Sequence, residues 1–216
     1  VDKNRGVIGE LKPAYPLASD PKRQPSIGRV EVRAVGDIGS QVAELLAGNI
    51  DLVRDVPVDQ AENLGRRPDL AVTGVEPFSI TYLMLDMKGR TGHKPLQDVR
   101  VRRAINHAID VQSLNRLVGG TVLDLKRPAA LCAVEQRGCG YSLPQPAYNP
   151  SLARGLLASA GYADGFDLEI AARPGVGQTV AEAITGQLRA VGIRASVNIL
   201  SFAAYRKYQS DGKLQA

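Results

Sequence analysis

The sequence predicts an α/β protein built of layered helices and strands, and three observations carry that reading. Apolar residues recur with a period of two in some stretches and of roughly 3.6 in others. The stretches so marked follow in the order β-α-β-α-β-β through the first half, and strand and helix alternate again later. At 216 residues, 44% hydrophobic and 23% charged, the chain has a globular balance and is long enough to bury a core without cross-links.

Residues 1–28 hold Pro13, Pro16, Pro21 and Pro25 with no apolar period, so a loop or extended arm is expected there. Arg29 to Val35 alternates, Val30, Val32 and Val35 against Arg29, Glu31 and Arg33, as a half-buried strand would. Ile38, Val42, Leu45 and Leu46 share one helical face, and Gly48 ends that helix. A short strand is expected at Ile50 to Val56. Pro57 then opens a second small helix. Leu70 to Val75 and Ile80 to Asp86 read as two further strands.

The sharpest helical pattern runs from Asp98 to Asp110. Val101, Ala104, Ile105, Ala108 and Ile109 fall on one face, and Asp98 is placed to cap the first turn. Val101, Ile105, Ala108 and Ile109 should be buried, while Arg100 and Arg103 face solvent. After Gly119-Gly120 comes a long irregular stretch, Thr121 to Tyr148, of a length usual for functional, packed or disordered loops. Leu152 to Ala160 reads as a helix ended by Gly161, Phe166 to Ala172 as a strand, and Gln178 to Ala190 as a helix ended by Gly192. Ile193 to Leu200 is a strand and Phe202 to Gln209 a closing helix.

The net charge is +5 and the pI about 9.3, but Lys and Arg are spread along the chain and the densest group (Arg100, Arg102, Arg103) sits beside Asp98 and Asp110. With 5% aromatic residues and no Trp, a stacking platform for nucleic acid is poorly supplied, and no nucleic-acid partner is expected. No apolar run reaches the ~18 residues of a membrane span. Val1 to Glu10 holds no apolar signal-peptide core.

Catalytic signatures are absent: there is no GxGxxG after a strand, no GxxxxGK[ST], no GxSxG and no HExxH. Gly175 and Gly177 lie where a phosphate loop could sit, yet without a lysine or third glycine they read as a strand-to-helix turn. His107 reads as packing or surface and His93 as solvated. Asp51 and Asp55 stand at strand spacing, with nothing to mark them as an acid–base pair. Cys132 and Cys139 are spaced C-x6-C, which fits neither a zinc site nor a thioredoxin motif. They are either a local disulfide or two unrelated thiols. No enzyme activity, metal or cofactor is expected.

Four segments together resemble one family. P-L-Q-D-V-R-V-R-R-A-I-N-H-A-I-D (Pro95 to Asp110) is similar to a P-L-x-D-x-R-V-R-x-A-x-x-x-A-I-D signature, and V-A-E-L-L-A-G-N-I-D-L-V (Val42 to Val53) to A-L-x-x-G-E-I-D. Y-N-P-S-L-A-R-G-L-L-A-S-A-G-Y-A-D-G-F (Tyr148 to Phe166) is similar to Y-D-P-x-K-A-K-x-L-L-x-E-A-G-Y-x-D-G-F, and Q-L-R-A-V-G-I-R-A-S-V (Gln187 to Val197) to Q-L-x-x-x-G-I-x-V-x-V. In this order and spacing they resemble the family 5 extracellular solute-binding proteins, the dipeptide-, oligopeptide- and nickel-binding components of ABC importers. The likeness covers roughly residues 25 to 210. It departs from the family at the start, where N-P-x-Y-W is usual and only Pro13 to Tyr15 (P-A-Y) is found.

The resemblance implies a type II periplasmic-binding-protein-like lobe, a mixed sheet flanked by helices, and a fragment of a two-lobe protein. Residues 1–82 would be the return segment of the first lobe, with its crossover strand, and 83–216 the first part of the C-terminal lobe. The implied function is to bind a peptide or related small solute in the interlobe cleft and deliver it to a membrane permease, as a periplasmic or extracellular monomer. The alternatives are a soluble α/β enzyme domain with no recognisable site, or a basic nucleic-acid-associated domain. Family positions map onto Thr81 and Tyr82 in the crossover strand, Gln178 at a helix start, and Phe202 and Arg206 in the closing helix. Tyr82 offers a ring and a hydroxyl, Gln178 sits near free backbone N–H groups, and Arg206 can pair with a carboxylate. The plain alternative is that Tyr82 and Phe202 are core aromatics and Arg206 a solvated helix residue. A compartment outside the cytoplasm also favours the Cys132–Cys139 disulfide, worth about 2–3 kcal/mol for so short a closure.

Overall fold

The computed structural model describes residues 7–10, 27–75, 80–120, 132 and 145–216. The chain divides into two compact units, Val1–Pro57 and Val58–Ala216.

In the first unit, β1 (Val7–Glu10) pairs antiparallel with β2 (Arg29–Val32), in a register running from Val7 opposite Val32 to Glu10 opposite Arg29. A strand thus lies within the stretch expected to be a loop or arm. β2 is exposed at every position rather than half-buried, because a two-stranded ribbon has no second layer of its own to cover a face. Helix α1 (Ile38–Leu46) starts where Asp37 accepts a 2.8 Å hydrogen bond from the Ser40 N–H, and Gly48 follows its end at φ 73°. Residues 50–56, expected as a strand, are irregular; Asp55 has a left-handed φ of 57°, which a β ladder does not accommodate.

The second unit opens with α2 (Val58–Leu64), directly after Pro57, burying Ala61 and Leu64. Residues 70–75 and 80–86 are extended in pattern but form no ladder. Strand-like pattern becomes a strand only where a partner edge is present, and among the described residues neither segment joins a sheet. A 3₁₀ turn, Lys94–Gln97, drives Leu96 into the core at 0% exposure.

Helix α3 (Val99–Ala108) is capped by Asp98 and buries Val101, Ala104, Ile105 and Ala108, with Arg100 and Arg103 outside as expected. Ile109 is half-buried rather than buried, because the helix has ended and Ile109 has turned to an extended φ of −98°. Asp110 at once caps a further helix, α4 (Val111–Gly119), accepting from the N–H groups of Gln112 and Ser113. That helix went unread in the sequence, although Asp110 followed by Val111 and Leu114 carries its signal.

Helix α5 (Pro150–Ser159), capped by Asn149, packs on α3. The small residues Ala104 and Ala153, both 0% exposed, let the helices approach closely. β3 (Asp167–Ala172), α6 (Val176–Arg189) and β4 (Arg194–Ile199) form a parallel β-α-β unit, with Leu168 opposite Ala195 and Ile170 opposite Val197. Leu168 and Ile170 point into the core with Leu157, Leu188 and Ile193. Helix α7 (Phe202–Asp211) closes the unit. Residues 215 and 216 then run beside β3, where the Ala171 N–H donates to the Ala216 carbonyl at 2.8 Å. Gly175 (φ 88°) caps α6, so the Gly175–Gly177 stretch is a strand-to-helix turn.

Both histidines are packed. His93, expected to be solvated, is half-buried: its ring meets Phe166 edge-on at 5.5 Å, and Nε2 donates to the Asp167 carbonyl at 2.7 Å. The apolar Phe166 ring draws the imidazole out of solvent. His107 Nδ1 lies 2.8 Å from the Ala147 carbonyl and ties the incoming chain to α3. Most of the irregular stretch 121–148 and Cys139 lie outside the described residues, and with them the Cys132–Cys139 pairing; Cys132 itself is half-buried. Among the described residues no helix is long and apolar enough to cross a membrane.

Candidate functional site

Because β3 and β4 run parallel, their carboxyl ends open on the same side of the unit. In open α/β sheets that side collects ligand contacts, since the loops leaving the strands meet helix N-termini there. β3 delivers Arg173, Pro174 and the α6 start, while β4 delivers Leu200, Ser201 and the α7 start. The Leu200 N–H donates to the Ala172 carbonyl at 2.8 Å and keeps the two exits level. Ser201 caps α7 through Oγ, which accepts from the Ala204 N–H at 3.3 Å.

Phe202 stands at this end with 64% of its surface exposed, and the Arg173 guanidinium carbon lies 5.5 Å from its ring centre. A cation over an aromatic face is held electrostatically while its N–H edges stay free for an anion. Gln178 sits in the first turn of α6, half-buried, and donates to Glu182 Oε1 at 2.8 Å. Arg206, one turn beyond Phe202, is exposed and donates to Gln209 Oε1 at 3.1 Å.

An open groove of about 290 Å³ runs along α7. Tyr82, Asp86, Arg90, Tyr205, Gln209 and Gln215 are among the residues that line it. Tyr82 is 62% exposed, so neither it nor Phe202 is a core aromatic. Thr81, also exposed, immediately precedes Tyr82. Burial raises the cost of the Asp86 charge, yet hydrogen bonds from the Thr91 N–H (2.7 Å), the Thr91 hydroxyl (2.8 Å) and the Arg90 N–H (3.0 Å) hold its pKa below the usual carboxylate value.

The structure therefore joins Tyr82 to α7 across the groove and Phe202 to the β3–α6 turn. Arg206 is linked to the groove through Gln209. Gln178 lies in α6 and Thr81 directly before Tyr82. Sequence reading missed Arg173, Tyr205 and Gln209. Tyr205 and Gln209 were legible as residues three and seven positions beyond Phe202 on one helix face, and Arg173 as a cation at a strand exit before Pro174-Gly175. Among the described residues no group of His, Cys, Asp or Glu is gathered to hold a metal ion.

These features define a class first, an α/β lobe with the periplasmic-binding-protein fold. The same fold is found in a periplasmic binding protein, DppA of Helicobacter pylori in complex with the peptide STSA, at TM-score 0.70 and 25% identity over 87% of this chain and 36% of that one. NikA of Brucella suis, in complex with Fe(III)-EDTA, superposes at TM-score 0.73 and 24% identity, over 89% of this chain and 41% of that one. The family model for bacterial extracellular solute-binding proteins, family 5 Middle, matches residues 1–216, and the chain belongs to that family. Among its relatives are heme-binding protein A of Haemophilus influenzae, 24% identical over 204 residues, and the glutathione-binding protein GsiB of Escherichia coli K12, 25% identical over 193. The chain spans 36% of the length of each and is itself covered to 90% and 88%.

Proposed function

We propose that this chain is the middle part of the solute-binding component of an ABC importer, which binds a peptide or a related small solute outside the cytoplasm and hands it to a membrane permease. The observation that carries this reading is the cluster at the exits of the parallel strands: Arg173 over an exposed Phe202, with the α6 first turn beside it. An exposed ring with a cation laid across it suits a ligand with an apolar side chain and a carboxylate. Family membership and relatives named for peptide, glutathione and heme binding support it.

In this reading residues 1–82 form the return segment of the first lobe and 83–216 the opening part of the second. Thr81, Tyr82, Gln178, Phe202 and Arg206 face the cleft. The protein works as a periplasmic monomer, by hinge closure on the solute and without a catalytic step. Cys132 and Cys139 form a short disulfide suited to that compartment.

The test is thermal unfolding of the full-length protein with mixed di- and tripeptides, glutathione, heme and chelated nickel, each well above micromolar concentration. A true ligand raises the midpoint with concentration, by about 2.7 kcal/mol of added stability at a hundredfold excess over Kd. A protein stabilised by none of these, or by duplex DNA instead, overturns the reading.

A further inference from the structure

We propose that Arg90 is a positioning residue: it clasps the C-terminal end of α7 and so fixes the groove that Tyr82 and Tyr205 line. The inference rests on the solute-binding reading above, because α7 carries Phe202 and Arg206. The clasp begins at Asp86. Its carboxylate accepts from the N–H groups of Arg90 and Thr91 and from the Thr91 hydroxyl, at 3.0, 2.7 and 2.8 Å, and so locks a tight turn. Gly89 and Gly92 give that turn its left-handed steps, at φ 69° and 77°.

A turn so fixed aims the Arg90 side chain at α7, where Nη2 donates to the Ser210 carbonyl at 3.1 Å across a sequence separation of 120 residues. The carbonyls of a last helical turn have no partner within the helix, and a cation there also meets the negative end of the helix dipole. Gly212 completes the arrangement. It is left-handed at φ 70°, and a Cβ built on it would occupy the space of the Arg90 guanidinium. Glycine there serves both the helix stop and the approach of the arginine. One further bond runs in parallel, from the Asp86 N–H to the Gln215 carbonyl at 2.9 Å. The turn, the end of α7 and the strand-side segment at 215 thus meet around a single side chain that also lines the groove.

The test compares full-length wild type with Arg90→Ala, Arg90→Lys, Gly212→Asn and the Arg90→Ala/Gly212→Asn pair. Asparagine tolerates the left-handed backbone but brings a Cβ into the guanidinium's place. Hydrogen exchange of the α7 amides is expected to quicken about tenfold in Arg90→Ala and in Gly212→Asn, with α3 and α6 unchanged. The paired variant should be no faster than either single one, because both break one contact. With glutathione and alanyl-phenylalanine as probes, whichever binds wild type should bind Arg90→Ala about fivefold more weakly, and Arg90→Lys should recover part of the loss. Unchanged α7 exchange in Arg90→Ala, additive effects in the pair, or undiminished binding of a probe that wild type binds would each overturn the clasp. Should wild type bind neither probe, peptide and glutathione recognition fall, while the exchange measurements still decide the clasp.

Discussion

Asp98 and Arg100 are bound to each other twice: the Asp98 carboxylate accepts the Arg100 backbone N–H at 2.8 Å, capping α3, and also its guanidinium at 2.6 Å. The same guanidinium donates to the Ser159 carbonyl at 2.5 Å, so one arginine ties the start of α3 to the end of α5. The hydrogen bonds from Arg100, side chain first and then backbone, lower the Asp98 pKa from 3.8 to about 2. A carboxylate depressed in the folded state adds stability that is complete above the unfolded value and is lost as pH falls from 3.8 toward 2. Acid unfolding of Asp98→Asn, which keeps a capping oxygen but no charge, should show a shallower loss of stability across that window. An unchanged acid profile would remove the assigned role.

Ile105 is 1% exposed, among Val101, Leu157 and Leu188 in the core. Ile105→Ala should cost about 2–5 kcal/mol in denaturant unfolding. The slope against denaturant should stay as in wild type, since the loss is a cavity and not a looser folded state.

Gly165 and Gly161 are both left-handed, at φ 72° and 87°, but only Gly165 is crowded: a Cβ there would collide with the Gly192 carbonyl, whereas at Gly161 it meets open space. Gly161→Ala should therefore cost only the backbone strain, about 1–3 kcal/mol. Gly165→Ala should cost clearly more, because backbone cannot step aside as a flexible side chain can. Equal midpoints for the two variants would contradict this account.

At the candidate site, Tyr82→Ala and Phe202→Ala should each weaken solute binding about tenfold, ~1.4 kcal/mol, in calorimetry on the full-length protein. Both side chains are exposed, so the unfolding midpoint should barely move. Arg173→Ala should match Phe202→Ala, and the pair together should lose less than the sum, since the two side chains stack.

Intact mass of protein made in an oxidising compartment should rise by about 2 Da on reduction, the two hydrogens of one disulfide, localised to the peptide with Cys132 and Cys139. Two thiols that react fully with a maleimide before reduction would exclude the bridge.

The second unit was far more legible in sequence than the first. Helices such as α3 and α6 announce themselves because their signals are local, an aspartate cap and apolar stripe in α3 and an apolar stripe with a glycine stop in α6, and the structure follows them within a residue or two. Strands are different. Leu168 and Ala195 pair because α6 returns the chain to the same edge, while Ile50 to Val56 and Leu70 to Val75, also read as strands, form no ladder among the described residues. Residue pattern records a willingness to pair, and the partner decides. The candidate site was legible only in part for a similar reason. Phe202 and Arg206 could be named from one segment, but Arg173 meets Phe202 only once β3 and β4 lie side by side.

The separation between Arg90 and Ser210 also sets a timetable for a chain made from its N-terminus. With 120 residues between them, the partner of Arg90 is synthesised roughly 6–24 s later at ~5–20 residues per second. Through that interval the turn at Asp86 can form on its own local bonds, but the outer edge of β3 stays uncovered until residues 215 and 216 arrive. A nascent chain paused short of Ser210 would expose that edge to chaperones or to another copy of itself.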